Sequence, residues 1–301
     1  MQLDSFKRKL GENGIDFLLN EPMKNHTSFK IGGNADVFVS ARDEEQLLTL
    51  FAAAKEYDVP VFILGKGSNL LVSDKGIEGA VVYLGNMDGI TVKGEEIICE
   101  AGASLCAVCV KAKENSLTGL EFAYGIPGTV GGGLYMNAGA YGSEMKNIVV
   151  KADYITPDGC KGSMELKDMK LGYRTSVFKL NEKIITRVYF KLKKGEDKEI
   201  QAKMNQLISR RKEKQPLEYP SAGSTFKRPE GYFAGALIQQ SGLMGKRIGG
   251  AMVSGKHAGF VINYENANCE DVTRLIDYIR QKVLSDSGVN LETEVIFVGR
   301  K

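Results

Sequence analysis

A segment of eighteen residues, 125–142, restricts the fold of this chain more than any other part of the sequence. Glycine occupies seven of its positions, and glycine is used where the backbone approaches another group closely or takes positive φ. Five larger apolar residues are interleaved with the glycines: Ile126, Val130, Leu134, Tyr135 and Met136. These favour burial over disorder, so the segment predicts a long loop without regular structure that wraps a large, flat, partly polar ligand. A crowded turn packed against a sheet is the alternative.

A second glycine segment, Gly65–Asn69, follows the apolar stretch Val61–Leu64, which is typical of a short buried strand. Its small residues expose backbone N–H groups, and such a nest suits a diphosphate. The spacing fits neither a P-loop nor a dinucleotide-binding fingerprint, because Leu70 stands where a third glycine would be needed. A tight turn explains the segment equally well.

The rest of the chain predicts an α+β fold, because several short strands accompany each helix and a doubly wound parallel sheet is not expected. Its length is that of about two domains, and we place the boundary near the start of the helix at 198–214. The basic run Arg210–Lys214 in this helix is interpreted as a solvated face. Hydrophobic periodicity predicts helices at 2–11, 44–57, 104–115, 198–214 and 268–287, and strands at 35–40, 61–64, 80–84, 90–92, 97–101, 149–155, 160–165, 183–193 and 292–298.

Composition argues against several classes of protein. The net charge of +3 is too weak to indicate a nucleic-acid partner, and no apolar run is long enough to span a membrane. Five thinly spread cysteines do not resemble a disulfide framework, and we interpret Cys106 and Cys109 as packing residues. With two histidines, no metal site is expected. The sequence, which begins without a signal peptide, predicts a cytoplasmic protein.

Six motifs occur in an order that identifies a known family. Together they resemble the UDP-N-acetylenolpyruvoylglucosamine reductases of bacterial peptidoglycan synthesis over nearly the whole chain. The motifs lie at Asn25–Gly33, Gly65–Leu71, Gly125–Gly132, Tyr173–Phe178, Ala222–Pro229 and Leu291–Val295.

The resemblance implies a fold and a reaction. The fold would have two α+β subdomains, residues 1–200, of the FAD-binding kind found in vanillyl-alcohol-oxidase-like flavoproteins, and a C-terminal α+β substrate domain, residues 201–301. The direct run from Gly242 to Ala251 resembles the shorter type of this family, which lacks an added loop over the substrate. The reaction would be the NADPH-dependent reduction of the enolpyruvyl double bond of a UDP-sugar through non-covalent FAD, and we favour a monomer.

The same resemblance assigns the cofactor contacts to the two glycine segments, where small residues let backbone N–H groups reach a diphosphate. The expected FAD-binding residues are Gly65, Lys66, Gly67, Ser68, Asn69, Gly125, Pro127, Gly128, Thr129, Gly131, Gly132, Asn137, Gly139 and Ala140.

The resemblance implies three catalytic residues, and for each of them a non-catalytic role is the alternative. Arg174 would polarise the substrate carboxylate, although arginine is usually a surface residue. Ser224 would donate the proton, although it also suits a plain turn. Glu294 would assist from a buried strand with a pKa raised by burial, although an ion pair in the core is possible and Glu292 shares its face. The family motif favours Glu294.

Four basic residues are candidates for the UDP part of the substrate: Arg228, Lys246, Lys256 and His257. Basic side chains suit a diphosphate, but solvated loop charges would look the same. Two rival functions stay open at this point. A flavoprotein oxidase would reoxidise rapidly in air and would not bind UDP, and a non-catalytic binder would hold ligand without turnover.

Overall fold

A computed structural model of the chain describes residues 1–301. Seven α-helices, α1 to α7, span Leu3–Glu12, Glu44–Glu56, Leu105–Glu114, Val130–Tyr135, Asp197–Lys214, Ala234–Gln240 and Cys269–Ser287. Eighteen short strands, β1 to β18, span Phe17–Pro22, Asn34–Ser40, Val61–Leu64, Leu70–Val72, Ile77–Tyr83, Ile90–Lys93, Glu96–Glu100, Leu117–Thr118, Gly139–Ala140, Ser143–Glu144, Val149–Ile155, Lys161–Glu165, Ile184–Lys191, Lys193–Lys194, Arg247–Ile248, Ala251–Val253, Val261–Asn263 and Ile296–Val298. Single-turn 3-10 helices lie at Met23–Asn25, Glu121–Ala123, Met145–Asn147, Leu166–Asp168 and Val177–Lys179.

The first of two compact units comprises Met1–Leu18, Val37–Lys66 and Gly79–Arg211. Its main sheet is antiparallel with the order β12-β11-β13-β7-β6, and α4 packs against β13 and β7. The core of this unit joins side chains of α1, α2 and α3 to the strands, and its fully buried members include Phe6, Leu50, Ile97, Val108 and Phe190.

The second unit comprises Leu19–Asp36, Gly67–Glu78 and Lys212–Lys301. Here α7 packs against β15 and β16 of the antiparallel sheet β15-β16-β17, while β18 pairs in parallel with β4. Its core has a separate set of buried residues that includes Phe29, Leu71, Val272, Leu275 and Ile279.

Helices mixed with mostly antiparallel sheets confirm the predicted α+β class. A further four-stranded sheet has the order β1-β2-β5-β3. Each unit is built from separate stretches of chain, so the two units do not test the predicted division at residue 200. That division stays a prediction.

Capping residues mark several element boundaries. The Ser104 side chain accepts a hydrogen bond from the Ala107 N–H at 3.1 Å and caps α3, and Gly288 ends α7 with a φ of +70°. Strands β11 and β12 form a hairpin around Pro157–Gly159. No helix is both long and apolar enough to cross a bilayer.

Two expectations about secondary structure were wrong. The segment 125–142 is not free of regular structure, since it contains α4 and β9. The predicted strand 292–298 shortens to β18, because the residues before it bond to a neighbouring segment instead: Lys227 N–H donates to the Glu292 carbonyl at 2.8 Å, and Glu294 N–H donates to the Thr225 carbonyl at 2.8 Å. Helix α6 and nine strands were not predicted: β1, β4, β8, β9, β10, β14, β15, β16 and β17.

Candidate active site

The two glycine segments meet at Gly65 and Thr129. Thr129 caps α4, because its hydroxyl accepts a hydrogen bond from the Gly132 N–H at 3.2 Å. A Cβ atom at position 65 would lie 2.7 Å from the same hydroxyl oxygen. Any side chain at 65 would therefore displace the cap, so the turn after β3 and the start of α4 must both stay small.

The glycines within α4 serve packing. Val130 N–H and Gly131 N–H donate to the carbonyls of Ala103 and Ala101, each at 2.8 Å. A Cβ on Gly131 would lie 2.8 Å from the Ala101 Cβ. Close approach of α4 to the segment after β7 thus explains Gly131, and contact of Gly131 and Gly132 with a ligand stays a prediction.

The remainder of the first glycine segment, Gly67 to Asn69, belongs to the second unit. Gly67 has a φ of +59°, and a Cβ there would collide with the His26 carbonyl oxygen. Asn69 continues the segment toward Glu294: its side-chain amide donates to the Glu294 carbonyl at 3.2 Å, and its own carbonyl accepts from the Ile296 N–H at 3.0 Å.

Asn137 is fully buried and joins the glycine-rich segment to a distant turn. Its amide nitrogen donates to Glu144 Oε2 at 2.6 Å and to the Gly172 carbonyl at 2.9 Å, and its amide oxygen accepts from the Lys146 N–H at 3.0 Å. Its side chain thus holds protein groups in place, among them the turn that carries Arg174.

Arg174 lies at the tip of a tight turn in which Gly172 and Thr175 exchange backbone hydrogen bonds of 3.1 and 3.3 Å. Its φ is +54°, and its guanidinium lies 5.0 Å from the centre of the Tyr173 ring. The turn is anchored further by the buried Ser176, whose hydroxyl donates to the Tyr135 carbonyl at the end of α4 at 2.7 Å. Arg174 is half-buried and is therefore not an ordinary surface arginine.

The second unit brings the segment of Ser224 beside that of Glu294. Thr225 receives the Glu294 N–H on its carbonyl at 2.8 Å, donates its own N–H to the Gly259 carbonyl at 2.9 Å, and accepts the Val261 N–H on its hydroxyl at 2.9 Å. Thr225 is buried, whereas Ser224 is exposed. The hydrogen bonds of Thr225 therefore fix the backbone next to Ser224, whose side chain is exposed.

Glu294 is less buried than the sequence predicts. Glu294 is half-buried, because the fully buried strand predicted for it does not form. Glu292 is exposed and forms an ion pair of 2.9 Å with Lys227, whose hydrogen bond lowers the pKa of the Glu292 carboxyl. The rival carboxylate is thus committed to a surface pair, and so is Lys227.

The four basic substrate candidates all lie in the second unit, in different surroundings. Arg228 lies over the Phe233 ring at 4.0 Å, and its Nε donates to the Tyr232 carbonyl at 3.3 Å. His257 is half-buried, and burial lowers the pKa of its imidazole, which accepts the Gly259 N–H on Nδ1 at 3.1 Å.

The two lysines of this set are engaged elsewhere in the unit. Lys246 has its ammonium 4.7 Å from the centre of the Tyr278 ring. Lys256 donates to the Lys212 carbonyl at 2.8 Å and lies 3.5 Å from the Glu218 carboxylate. Both lysines stay predictions as substrate contacts.

Arg211 is the residue that the sequence reading missed. It was assigned with its basic neighbours to a solvated helix face, but its Nε is buried without a hydrogen-bond partner, and burial lowers the pKa of its guanidinium. A Cβ on Gly125 would lie 2.9 Å from Arg211 Cδ, so Arg211 packs against the start of the glycine-rich segment. No sequence signal distinguished it from the adjacent Arg210.

A depression of about 560 Å³ in the second unit lies apart from the candidate residues. It is lined by Lys24, Lys30, Tyr219 and Tyr264 among others, beside the first turn of α7. Asp74 already accepts the Cys269 and Glu270 N–H groups of that turn, at 2.8 and 3.1 Å. No group of three or more His, Cys, Asp or Glu side chains could hold a metal ion.

Two sequence profiles match the chain. Residues 35–160 match the profile described as FAD binding domain, and residues 215–298 match the one described as UDP-N-acetylenolpyruvoylglucosamine reductase, C-terminal domain. The first match contains all of the expected cofactor residues, and the second contains Ser224, Glu294 and the basic candidates.

Curated relatives and solved structures agree with these matches. A UDP-N-acetylenolpyruvoylglucosamine reductase of Caldanaerobacter subterraneus is 50% identical over 99% of this chain and 98% of its own. One of Clostridium perfringens is 45% identical over 99% of both chains. The crystal structure of the UDP-N-acetylenolpyruvylglucosamine reductase of Thermus caldophilus covers 94% of this chain and 98% of its own, at 32% identity and a TM-score of 0.79. A berberine bridge enzyme variant shares the fold over 64% of this chain and 44% of its own, at 14% identity and a TM-score of 0.50.

Proposed function

Because the chain belongs to the family of UDP-N-acetylenolpyruvoylglucosamine reductases, we propose that Arg174, Ser224 and Glu294 carry out the family's reaction here. That reaction is the NADPH-dependent, FAD-mediated reduction of the enolpyruvyl double bond of UDP-N-acetylglucosamine enolpyruvate, which gives UDP-N-acetylmuramate for peptidoglycan synthesis. The chain is accordingly an FAD-dependent oxidoreductase.

The residues present fit FAD. Gly65 and Gly67 must stay without side chains, because a Cβ would meet Thr129 or His26, and the bare backbone of this segment suits a nest for a diphosphate. Arg211 adds a half-buried cation whose buried Nε has no partner within the protein, which suits an anionic or strongly polar ligand. We assign Gly65 to Asn69, the 125–140 segment and Arg211 to FAD binding. When bound, FAD supplies the hydride transfer from NADPH to the terminal carbon of the enolpyruvyl group.

Arg174 holds the substrate carboxylate, on which negative charge grows as the double bond is reduced. Its guanidinium offers a planar fork of donors that matches the geometry of a carboxylate. The anchored turn fixes the backbone from which this fork extends, through the hydrogen bonds of Asn137 and Ser176.

Ser224 donates the proton to the carbon next to the carboxylate, which completes the lactyl group. The hydroxyl is a weak acid, so it acts only against a strongly basic enolate and regains its proton from solvent. Exposure of Ser224 beside the fixed Thr225 suits both requirements. Glu294 is held through its N–H by Thr225 and through its carbonyl by Asn69, and its carboxyl group assists at the same step.

The wider setting follows from the function. A UDP-linked sugar is the partner, with Arg228 and His257 as its first candidate contacts and Lys246 and Lys256 as further ones. The proposal includes a monomer, and a role in peptidoglycan precursor synthesis supports a cytoplasmic location.

The observation that carries the assignment of roles is the anchoring of the Arg174 turn to the end of α4 within the first unit. Purified protein should carry a flavin absorption spectrum and should convert the enolpyruvyl UDP-sugar to a product two mass units heavier, with one NADPH consumed for each product molecule. NADPH consumption that requires oxygen, yields peroxide and ignores the UDP-sugar would instead indicate an oxidase.

A further inference from the structure

Two consecutive aromatic side chains, Tyr232 and Phe233, are exposed beside the candidate active site. Phe233 has 61% of its surface accessible and Tyr232 has 49%. A single exposed apolar residue is ordinary, but a phenylalanine this open loses hydrophobic free energy that burial would supply. The pair therefore needs an explanation beyond packing.

Contacts through Gly259 connect this aromatic pair to the segment of Ser224. Phe233 precedes α6, and a Cβ on Gly235 in the first turn of α6 would lie 3.3 Å from the Gly259 nitrogen and 3.4 Å from His257 Cε1. Gly259 in turn accepts the Thr225 N–H at 2.9 Å. One residue, Gly259, thus contacts both the start of α6 and the segment of Ser224.

The aromatic pair is held in place before any ligand arrives. The Tyr232 N–H donates to the Pro229 carbonyl at 3.2 Å and closes a turn that includes Gly231 at a φ of +74°. Arg228 clamps the other side, with Nε on the Tyr232 carbonyl and the guanidinium 4.0 Å from the centre of the Phe233 ring. A fixed ring loses little conformational entropy when a ligand binds.

We propose that Tyr232 and Phe233 form an aromatic platform on which the uracil ring of the UDP-sugar stacks, beside the positive charge of Arg228. An exposed ring next to a cation matches a nucleoside diphosphate, which presents a flat heterocycle and a polyanion a few bonds apart. The platform rests on the proposed function and deepens it, since it assigns the nucleotide end of the substrate to residues that nothing else assigns.

The test compares two probes, UDP and inorganic pyrophosphate, by calorimetric titration of the FAD-loaded protein. Because stacking contributes strongly to base binding, Phe233→Leu should weaken UDP binding by about fivefold to a hundredfold. Pyrophosphate has no ring, so its affinity should not change. Phe233→Tyr keeps a ring and should restore UDP binding.

Phe297→Leu is the matched control, because Phe297 is a similarly exposed phenylalanine of the same unit, with 44% of its surface accessible. Its UDP affinity should equal that of the parent. If the parent binds UDP and turns over but Phe233→Leu binds UDP equally well, the platform alone is overturned. A loss of pyrophosphate affinity as large as the loss of UDP affinity would overturn it as well. A parent that binds no UDP would overturn both the platform and the proposed function.

Discussion

At Arg174 the backbone takes a φ of +54°, a conformation that costs a residue with a side chain about 1–3 kcal/mol unless its surroundings hold it. Here the surroundings do hold it, through the Gly172–Thr175 hydrogen bonds and the Lys179 ammonium on the Arg174 carbonyl at 3.2 Å. Glycine or asparagine would adopt this conformation more easily. The arginine is therefore present for its side chain rather than for the turn.

Arg174→Lys keeps the positive charge and the aliphatic stem but loses the planar fork. Turnover should fall by about 10²–10³-fold, which is the usual effect of removing one well-placed donor to a developing negative charge. Bound FAD should be unaffected, and the ratio of flavin to protein absorbance checks this alongside steady-state kinetics. Parental turnover in this variant would return Arg174 to a structural role.

The turn itself provides the control for Arg174→Lys. Thr175→Ser changes the exposed neighbour of Arg174 and leaves the backbone hydrogen bonds of the turn in place. Its turnover should stay at the parental level. A similar loss in both variants would indicate that the turn is sensitive to any change.

Among the elements, α4 shows what a sequence pattern conveys and what it omits. Glycine content alone predicted a loop, because glycine disfavours helices. Thr129 nevertheless caps a helix there, and the glycines allow it to pack closely against Ala101 and Leu105. The tertiary contact outweighs the local propensity, and it cannot be read from the segment by itself.

The first glycine segment gives a prediction at the same scale. Gly67→Ala places a Cβ against the His26 carbonyl at a φ of +59°, so the backbone of the segment must shift. The purified variant should contain less FAD per protein than the parent, as measured by absorbance after release of the flavin. Circular dichroism should show that the protein is still folded.

Gly11→Ala is the matched change, because nothing lies within 4 Å of a Cβ at position 11 and the residue is in a helix. This variant should keep its full FAD content. If Gly67→Ala folds and retains as much flavin as Gly11→Ala, the segment from Gly65 to Asn69 is only a tight turn.

Sequence reasoning predicted five of the seven helices and half of the strands, because the signals of these elements are local. The caps at Asp43 and Ser104, the stop at Gly288 and the apolar face of α7 each depend on neighbours within a few residues. It failed where the partner is remote. Residues 292–295 form no strand, because their backbone hydrogen-bonds to Thr225 and Lys227. Arg211 does not lie on a fully solvated helix face, because it packs against Gly125.

The candidate site shows the same limit of sequence reasoning, which does not reveal remote contacts. Family motifs named Arg174, Ser224 and Glu294, but only the structure showed that Glu292 is committed to Lys227. Tyr232 and Phe233 were not named at all, because in a sequence an exposed aromatic residue looks the same as a buried one.

At the scale of the whole molecule, the proposed residues are divided between two units that have separate cores. Arg174 and the 125–140 segment belong to the first unit, whereas Ser224 and Glu294 belong to the second. The two half-reactions of the proposed chemistry differ in what they require of these residues. Reduction of the flavin by NADPH needs no proton delivered to carbon, while reduction of the enolpyruvyl group does.

The central claim is that this chain is a reductase in which Ser224 supplies that proton, and two-step anaerobic stopped-flow absorbance of Ser224→Ala tests it most directly. Ser221→Ala, a serine change in the same segment, serves as the control. Both variants should lose flavin colour with NADPH as fast as the parent. When the enolpyruvyl UDP-sugar is then added, colour should return about 10²–10⁴-fold more slowly in Ser224→Ala only, because the positioned acid is missing. Equal recovery in all three proteins, or a defect of Ser224→Ala in the NADPH step, would contradict the account.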